Sequence, residues 1–205
     1  MSSTITSNAE GAVRTESATN TNAASYPRAI DNGAGELLTF LGVRDGADGR
    51  QRLEVENRVQ PGSGPPMHVH YLQQESLTVQ EGRVGYCVAG GPDCFAGPGD
   101  TVTFAPGQMH RFWNAGDGEL RCSGWASPPA NLEYFLTEIY ASMRRGRGRP
   151  NPFDAAYLLG HYRTEFAQGN LPAPVRVVVF PILRAVGRLL GRDRRYADAP
   201  PPISR

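Results

Sequence analysis

The stretch GSGPPMHVHYLQQESLTVQEG, from Gly62 to Gly82, holds two of the chain's four histidines one residue apart, with a carboxylate five residues beyond the second. Side chains alternate between the faces of a strand, so His68 and His70 aim at the same side, as two ligands of one metal ion must. Glu75 falls at an odd spacing from them, and a straight strand would send it to the opposite face. The chain must therefore turn or change strands between Tyr71 and Gln74. Past that turn Glu75, Leu77 and Val79 share a parity, which puts the carboxylate on an inward-facing strand surface. A third imidazole comes from GDTVTFAPGQMHRFWN, where a Pro106–Gly107 turn leads into His110, Phe112 and Asn114 on one face with Arg111 and Trp113 on the other. These parities let His68, His70 and His110 converge. His161 has no such partner and reads as a structural or surface residue.

Imidazole and carboxylate together suit one divalent transition metal ion (Fe, Mn, Ni, Co, Cu or Zn), and affinity order alone does not choose among them. The competing reading is a set of buried, hydrogen-bonded histidines with no metal. Gln73, Gln74, Tyr86 and Met109 are further candidates to line a pocket at such a site, and Phe112 and Trp113 read as packing residues.

The elements that position these groups are short apolar runs broken by Gly and Pro. LLTFLGV, RLEVENRV, SLTVQ, RVGYCVA, DTVTFA, HRFWN and ELRCSGWA, between residues 35 and 127, have the spacing of an all-β sandwich or barrel. After Ser127 the period changes. Pro128 and Pro129 are placed for a first helical turn, and Leu132, Phe135, Leu136, Ile139, Tyr140 and Met143 then form one helical stripe. RRGRGRP breaks it, and a second helix is expected from about Asp154 to Ala167, presenting Leu158, Leu159, Tyr162 and Phe166. The last apolar segment, VRVVVFPILRAVGRLLGR, carries Arg176, Arg184, Arg188 and Arg192, and Pro181 should break or kink it. Residues 1–27 are rich in Ser, Thr, Asn and Ala and cannot bury enough surface to order themselves, so a disordered tail is expected. The expected division is tail 1–27, β-barrel 28–127 and helical extension 128–205.

The fixed positions of the histidine region resemble the cupin superfamily, in its small single-domain form. Gly62, His68, His70, Glu75 and Gly82 occupy every fixed position of the first cupin motif. Gly99, Pro106, Gly107, His110 and Asn114 match the second, except that Pro106 directly precedes Gly107 where one residue usually intervenes. The resemblance covers residues 62–114 and implies a mainly β fold, an RmlC-like jelly-roll barrel. It implies His68, His70, Glu75 and His110 as ligands of one divalent metal, with open positions for water, dioxygen or a chelating substrate. An open site is catalytic in style. The leading expectation is a dioxygenase-like oxidoreductase acting on a small molecule, similar to quercetinase-like cupins, with Glu75 as both ligand and proton acceptor. The alternatives are a Lewis-acid isomerase and a non-catalytic module that binds or senses a small ligand.

Composition narrows the partners. A formal net charge of +1 gives no global basicity for nucleic acid. Cys87, Cys94 and Cys122 are too few for a disulfide framework, and no leader pattern or apolar span is evident, so a cytoplasmic protein is expected. The resemblance makes a homodimer the expected assembly. The arginine-bearing last segment has two readings: a helix packed on the barrel or across a dimer, and an interfacial helix in peripheral contact with a membrane.

Overall fold

The computed structural model describes residues 25–169 and 171–204. The expected tail therefore lies mostly outside the described residues. Among the described residues, eleven strands form two facing sheets, one six-stranded and one five-stranded. The larger contains β1 (Arg28–Asp31), β2 (Glu36–Asp45), β3 (Gln51–Val59), β10 (Leu120–Ser127), β5 (Gln74–Glu81) and β8 (Thr101–Phe104), in that order. The smaller runs β11 (Phe166–Gln168), β4 (His68–His70), β9 (His110–Asn114), β6 (Val84–Val88) and β7 (Cys94–Ala96). Every strand pair among the described residues is antiparallel, as expected of a mainly β jelly roll.

Period-two alternation builds the barrel core. Val59, Leu77, Val79, Val84, Val102, Phe104, Phe112 and Leu120 point between the sheets and form one buried cluster. Each such side chain contributes about 1.5–3 kcal/mol by leaving water. A second cluster joins the barrel to the helices: Leu38, Phe40 and Leu53 from the large sheet meet Leu132, Ile139, Tyr140, Leu158 and Phe166. The helical part is thus the cover of one end of the sandwich.

Helix α1 (Leu132–Arg145) carries the expected stripe. Pro128 and Pro129 precede it instead of filling its first turn, and the Ser127–Pro128 peptide is cis. Helix α2 (Pro152–His161) starts where Asn151 accepts a hydrogen bond from the Phe153 N–H and Pro152 supplies a first-turn φ. It ends at His161, short of the expected Ala167. The physical reason is tertiary. Glu165, fully buried, accepts hydrogen bonds from the backbone N–H of Asn131 (3.2 Å), its Nδ2 (2.8 Å) and the N–H of Ile203 (3.0 Å). Phe166 then enters a strand, pairing with His70. Packing has overridden a helical spacing. In the last segment Pro181 does not interrupt the helix: a π-helical turn, Val175–Val179, runs into α3 (Phe180–Leu189), and Pro181 occupies the first turn of α3. The three cysteines are free.

Candidate metal centre

Two cross-strand relationships assemble the site. His68 of β4 pairs directly with His110 of β9, and His70 lies two residues along the same face. Residues 71–73 carry the chain across to the other sheet, where Glu75 pairs with Phe104 on one side and Ala126 on the other. The two sheets therefore present three imidazoles and one carboxylate to the same point. One ligand-type atom from each of His68, His70, Glu75 and His110 lies within 4.8 Å of the others. Glu75 Oε2 is 3.2 Å from His70 Nε2, 3.3 Å from His110 Nε2 and 3.9 Å from His68 Nε2. Around an ion bonded at about 2.1 Å, adjacent donors stand about 3 Å apart and opposite ones about 4 Å. The cluster has those dimensions and could hold one metal ion.

The donor chemistry points the same way. His68 Nδ1 lies 2.8 Å from the Pro66 carbonyl and His110 Nδ1 2.8 Å from the Gln108 carbonyl. A carbonyl only accepts, so both rings donate from Nδ1, and each turns a bare Nε2 lone pair to Glu75 unless a proton is added there. A cation, proton or metal, must lie among atoms that otherwise repel. Burial pushes the His70 imidazole down to about 3, leaving that ring neutral and its lone pair available. Burial works to raise the Glu75 carboxyl, but the hydrogen bond that an added proton on His110 Nε2 makes to it, together with the flanking imidazoles, holds it well below the usual carboxylate range. Burial likewise opposes protonation of His68, and Glu75 beside it more than offsets this, raising that imidazole.

Packing fixes the rings. His110 stacks on Phe104 with centroids 3.8 Å apart. His70 meets the edge of Phe166 at 5.4 Å, while its buried Nδ1 has no hydrogen-bond partner among the described residues. His161 takes no part: its Nε2 is 3.1 Å from the Pro200 carbonyl and its ring stacks on Tyr157.

A cavity of about 100 Å³ adjoins the cluster, lined by His68, His70 and Glu75 together with apolar side chains such as Leu38, Val55 and Leu136. None of Gln73, Gln74, Tyr86 and Met109 is among its lining residues, whereas Phe112 is. A larger space of about 500 Å³ shares Glu36, His68, His70 and Tyr140 with it and opens between α1 and Pro65–Pro66. The polar end of the cavity was not anticipated. Buried Glu36 accepts from Asn57 Nδ2 at 2.7 Å, from Asn32 Nδ2 at 3.2 Å and from the Tyr140 hydroxyl. Burial pushes its carboxyl up against these bonds. Asn57 Oδ1 is buried without a partner among the described residues. The signal was available: Glu36 shares parity with Leu38 and Phe40, and Asn57 with Val55 and Val59, so both are polar residues at core positions of their strands.

Residues 55–123 match the family model described as the cupin domain. The barrel is a cupin domain. No curated protein matches the chain. Among solved structures, the chain is similar to a sugar phosphate isomerase of the cupin superfamily from Silicibacter pomeroyi, at 25% identity and a TM-score of 0.40, over 47% of this chain and 61% of that one. It thus spans about three-fifths of that protein's length. A polyketide cyclase from Streptomyces resistomycificus shares 25% identity over 51% of this chain and 78% of its own, with a TM-score of 0.41. A protein described as a predicted oxalate decarboxylase from Thermotoga maritima shares 22% identity over 49% of this chain and 90% of its own, with a TM-score of 0.42.

Proposed function

We propose that this protein is a metal-dependent, dioxygenase-like cupin that oxidises a small molecule, with His68, His70, Glu75 and His110 holding one divalent ion. The observation that carries the reading is the meeting of three imidazole Nε2 atoms with Glu75 Oε2, two of the rings anchored through Nδ1, beside a mostly apolar cavity. When bound, such an ion would polarise the substrate through its oxygens and, if redox-active, would make dioxygen reactive toward the substrate. The chain's own residues do the rest. Glu75 serves as ligand and as acceptor of the substrate's proton. The apolar walls exclude water, and Asn57 Oδ1 accepts a hydrogen bond from a hydroxyl at the far end of the substrate. In this reading the working unit is a cytoplasmic homodimer, which analytical ultracentrifugation and cell fractionation check.

The test is metal analysis by mass spectrometry of protein purified without chelators, with His68→Ala and Glu75→Gln alongside, followed by oxygen uptake with flavonols, diketones or thiols. Stoichiometric metal in the wild type, loss in both variants and oxygen consumption by the loaded protein are expected. Full metal retention by both variants overturns the coordination. Metal without oxygen uptake, together with isomerisation of a carbonyl substrate, would make the site a Lewis acid, and binding without turnover would make it a sensor.

A further inference from the structure

Seven of the eleven exposed large apolar side chains among the described residues fall between Val177 and Leu190. Scattered exposed leucines are ordinary, but a contiguous stripe is not. Val178, Ile182, Val186 and Leu189 recur every three or four residues through the π-helical turn and α3, so they share one helical face. Ile182 is 57% and Leu189 87% exposed. The opposite side packs inward: Gly187 is buried, and a Cβ there would touch Phe153. Nothing among the described residues covers the outer stripe.

Charge says what does. Residues 171–196 contain six arginines and one acidic residue, Asp193, in a chain whose formal net charge is only +1, so the remainder is net acidic. Arg163, Arg176, Arg184 and Arg188 line a groove of about 710 Å³ alongside α3, and no Asp or Glu is among its lining residues. A second copy of this chain is a poor cover: a two-fold contact sets a patch against itself, and here it would oppose like-charged arginine rows across an apolar seam. An anionic bilayer surface satisfies both halves of the pattern. The stripe enters the boundary between headgroups and acyl chains, and guanidinium groups take phosphates in their bidentate geometry.

We propose that residues 175–190 lie in the plane of an anionic phospholipid surface, with Val178, Ile182, Val186 and Leu189 inserted and the arginine groove facing lipid phosphates. This is independent of the metal centre. The helix docks the cupin domain peripherally, since no helix among the described residues is long and apolar enough to cross a membrane.

The experiment is flotation of the full chain with extruded vesicles of phosphatidylcholine alone and of phosphatidylcholine with roughly one-third phosphatidylglycerol. Wild type is expected to float with the anionic vesicles and stay behind with the neutral ones, with binding weakened at high salt. Ile182→Asp with Leu189→Asp, at exposed positions, should lower partitioning at least about ten-fold without changing the thermal melt. Arg176→Ser with Arg188→Ser keeps the apolar stripe and should abolish the preference for anionic vesicles. Failure of the wild type to bind either vesicle overturns the proposal, as does wild-type flotation of the aspartate variant. Self-association that the aspartate variant abolishes, without vesicle binding, assigns the stripe to a second copy and overturns it too.

Discussion

His68 stands directly opposite His110 in the β4–β9 pair, their ring centroids 4.5 Å apart. That single cross-strand pair brings two stretches 42 residues apart in sequence to one point, and Glu75 closes the cluster from the other sheet. Because the inward atoms are nearly all acceptors, a cation bound there ties the two sheets together. Loading with a divalent metal at about a hundred-fold excess over its dissociation constant should stabilise the fold by about 2.7 kcal/mol. A thermal melt with and without chelator reads this as a rise of several degrees, which His110→Ala should abolish. An equal rise in that variant would place the bound metal elsewhere.

Phe166 links the helical extension to the ligands. It is buried, pairs with His70 across the β11–β4 ladder, and stacks on Phe135 at 4.8 Å. His68 and His110 are oriented by carbonyls, whereas the orientation of His70 rests on packing against this ring. Phe166→Ala should cost about 3–5 kcal/mol in denaturant unfolding. It should also weaken Co(II) affinity about ten-fold or more, as the loss of an orienting neighbour does. Phe166→Leu should recover most of both. Unchanged Co(II) affinity in a destabilised Phe166→Ala protein would show that the ring supports the fold and not the ligand.

The histidine cluster was legible because strand parity is a period of two: His68 and His70 share a face whatever the rest of the chain does, and the odd step to Glu75 demands the break that residues 71–73 make. The short strand at Phe166 was not legible, since Tyr162 and Phe166 keep a helical spacing. What ends α2 is a carboxylate, Glu165, drawn to Asn131 and Ile203, contacts 34 and 38 residues away. Tyr140 fitted the apolar stripe of α1, and its hydroxyl's partner on β2 leaves no mark in local sequence. Glu36 and Asn57 were visible in principle as polar residues at inward parity.

Glu36 gathers three donors in a buried place, from Asn57, Asn32 and Tyr140. Glu36→Ala leaves all three without their acceptor and should lower stability by about 3 kcal/mol. Glu36→Gln keeps one acceptor oxygen and should lose less. Chemical denaturation of the two variants checks the order. Wild-type stability in Glu36→Ala would mean that water replaces the carboxylate without penalty.

Asp154 supports the helical cover through charge, and this gives a pH dependence with a definite sign. Its nearly buried carboxylate accepts from the Ser142 hydroxyl at 2.7 Å and pairs with Arg195 at 3.1 Å and Arg145 at 3.4 Å, joining α1, α2 and the 3₁₀ turn Arg192–Tyr196. Burial works to raise this carboxyl, but Ser142 and the arginines more than offset it, and it lies below its ordinary value. The folded state therefore binds fewer protons here than the unfolded chain. The stabilisation is fully present above the ordinary Asp value of about 3.9 and drains away as pH falls through the lower folded value. Asp154→Asn should cost about 2 kcal/mol near neutrality, a figure kept modest because both guanidinium groups are substantially exposed and regain water. Urea unfolding of wild type and variant from neutral pH into strong acid should show the gap constant down to about pH 4 and closing below it. A gap independent of pH would mean that Asp154 acts through packing and its hydrogen bond to Ser142, with no net contribution from its charge.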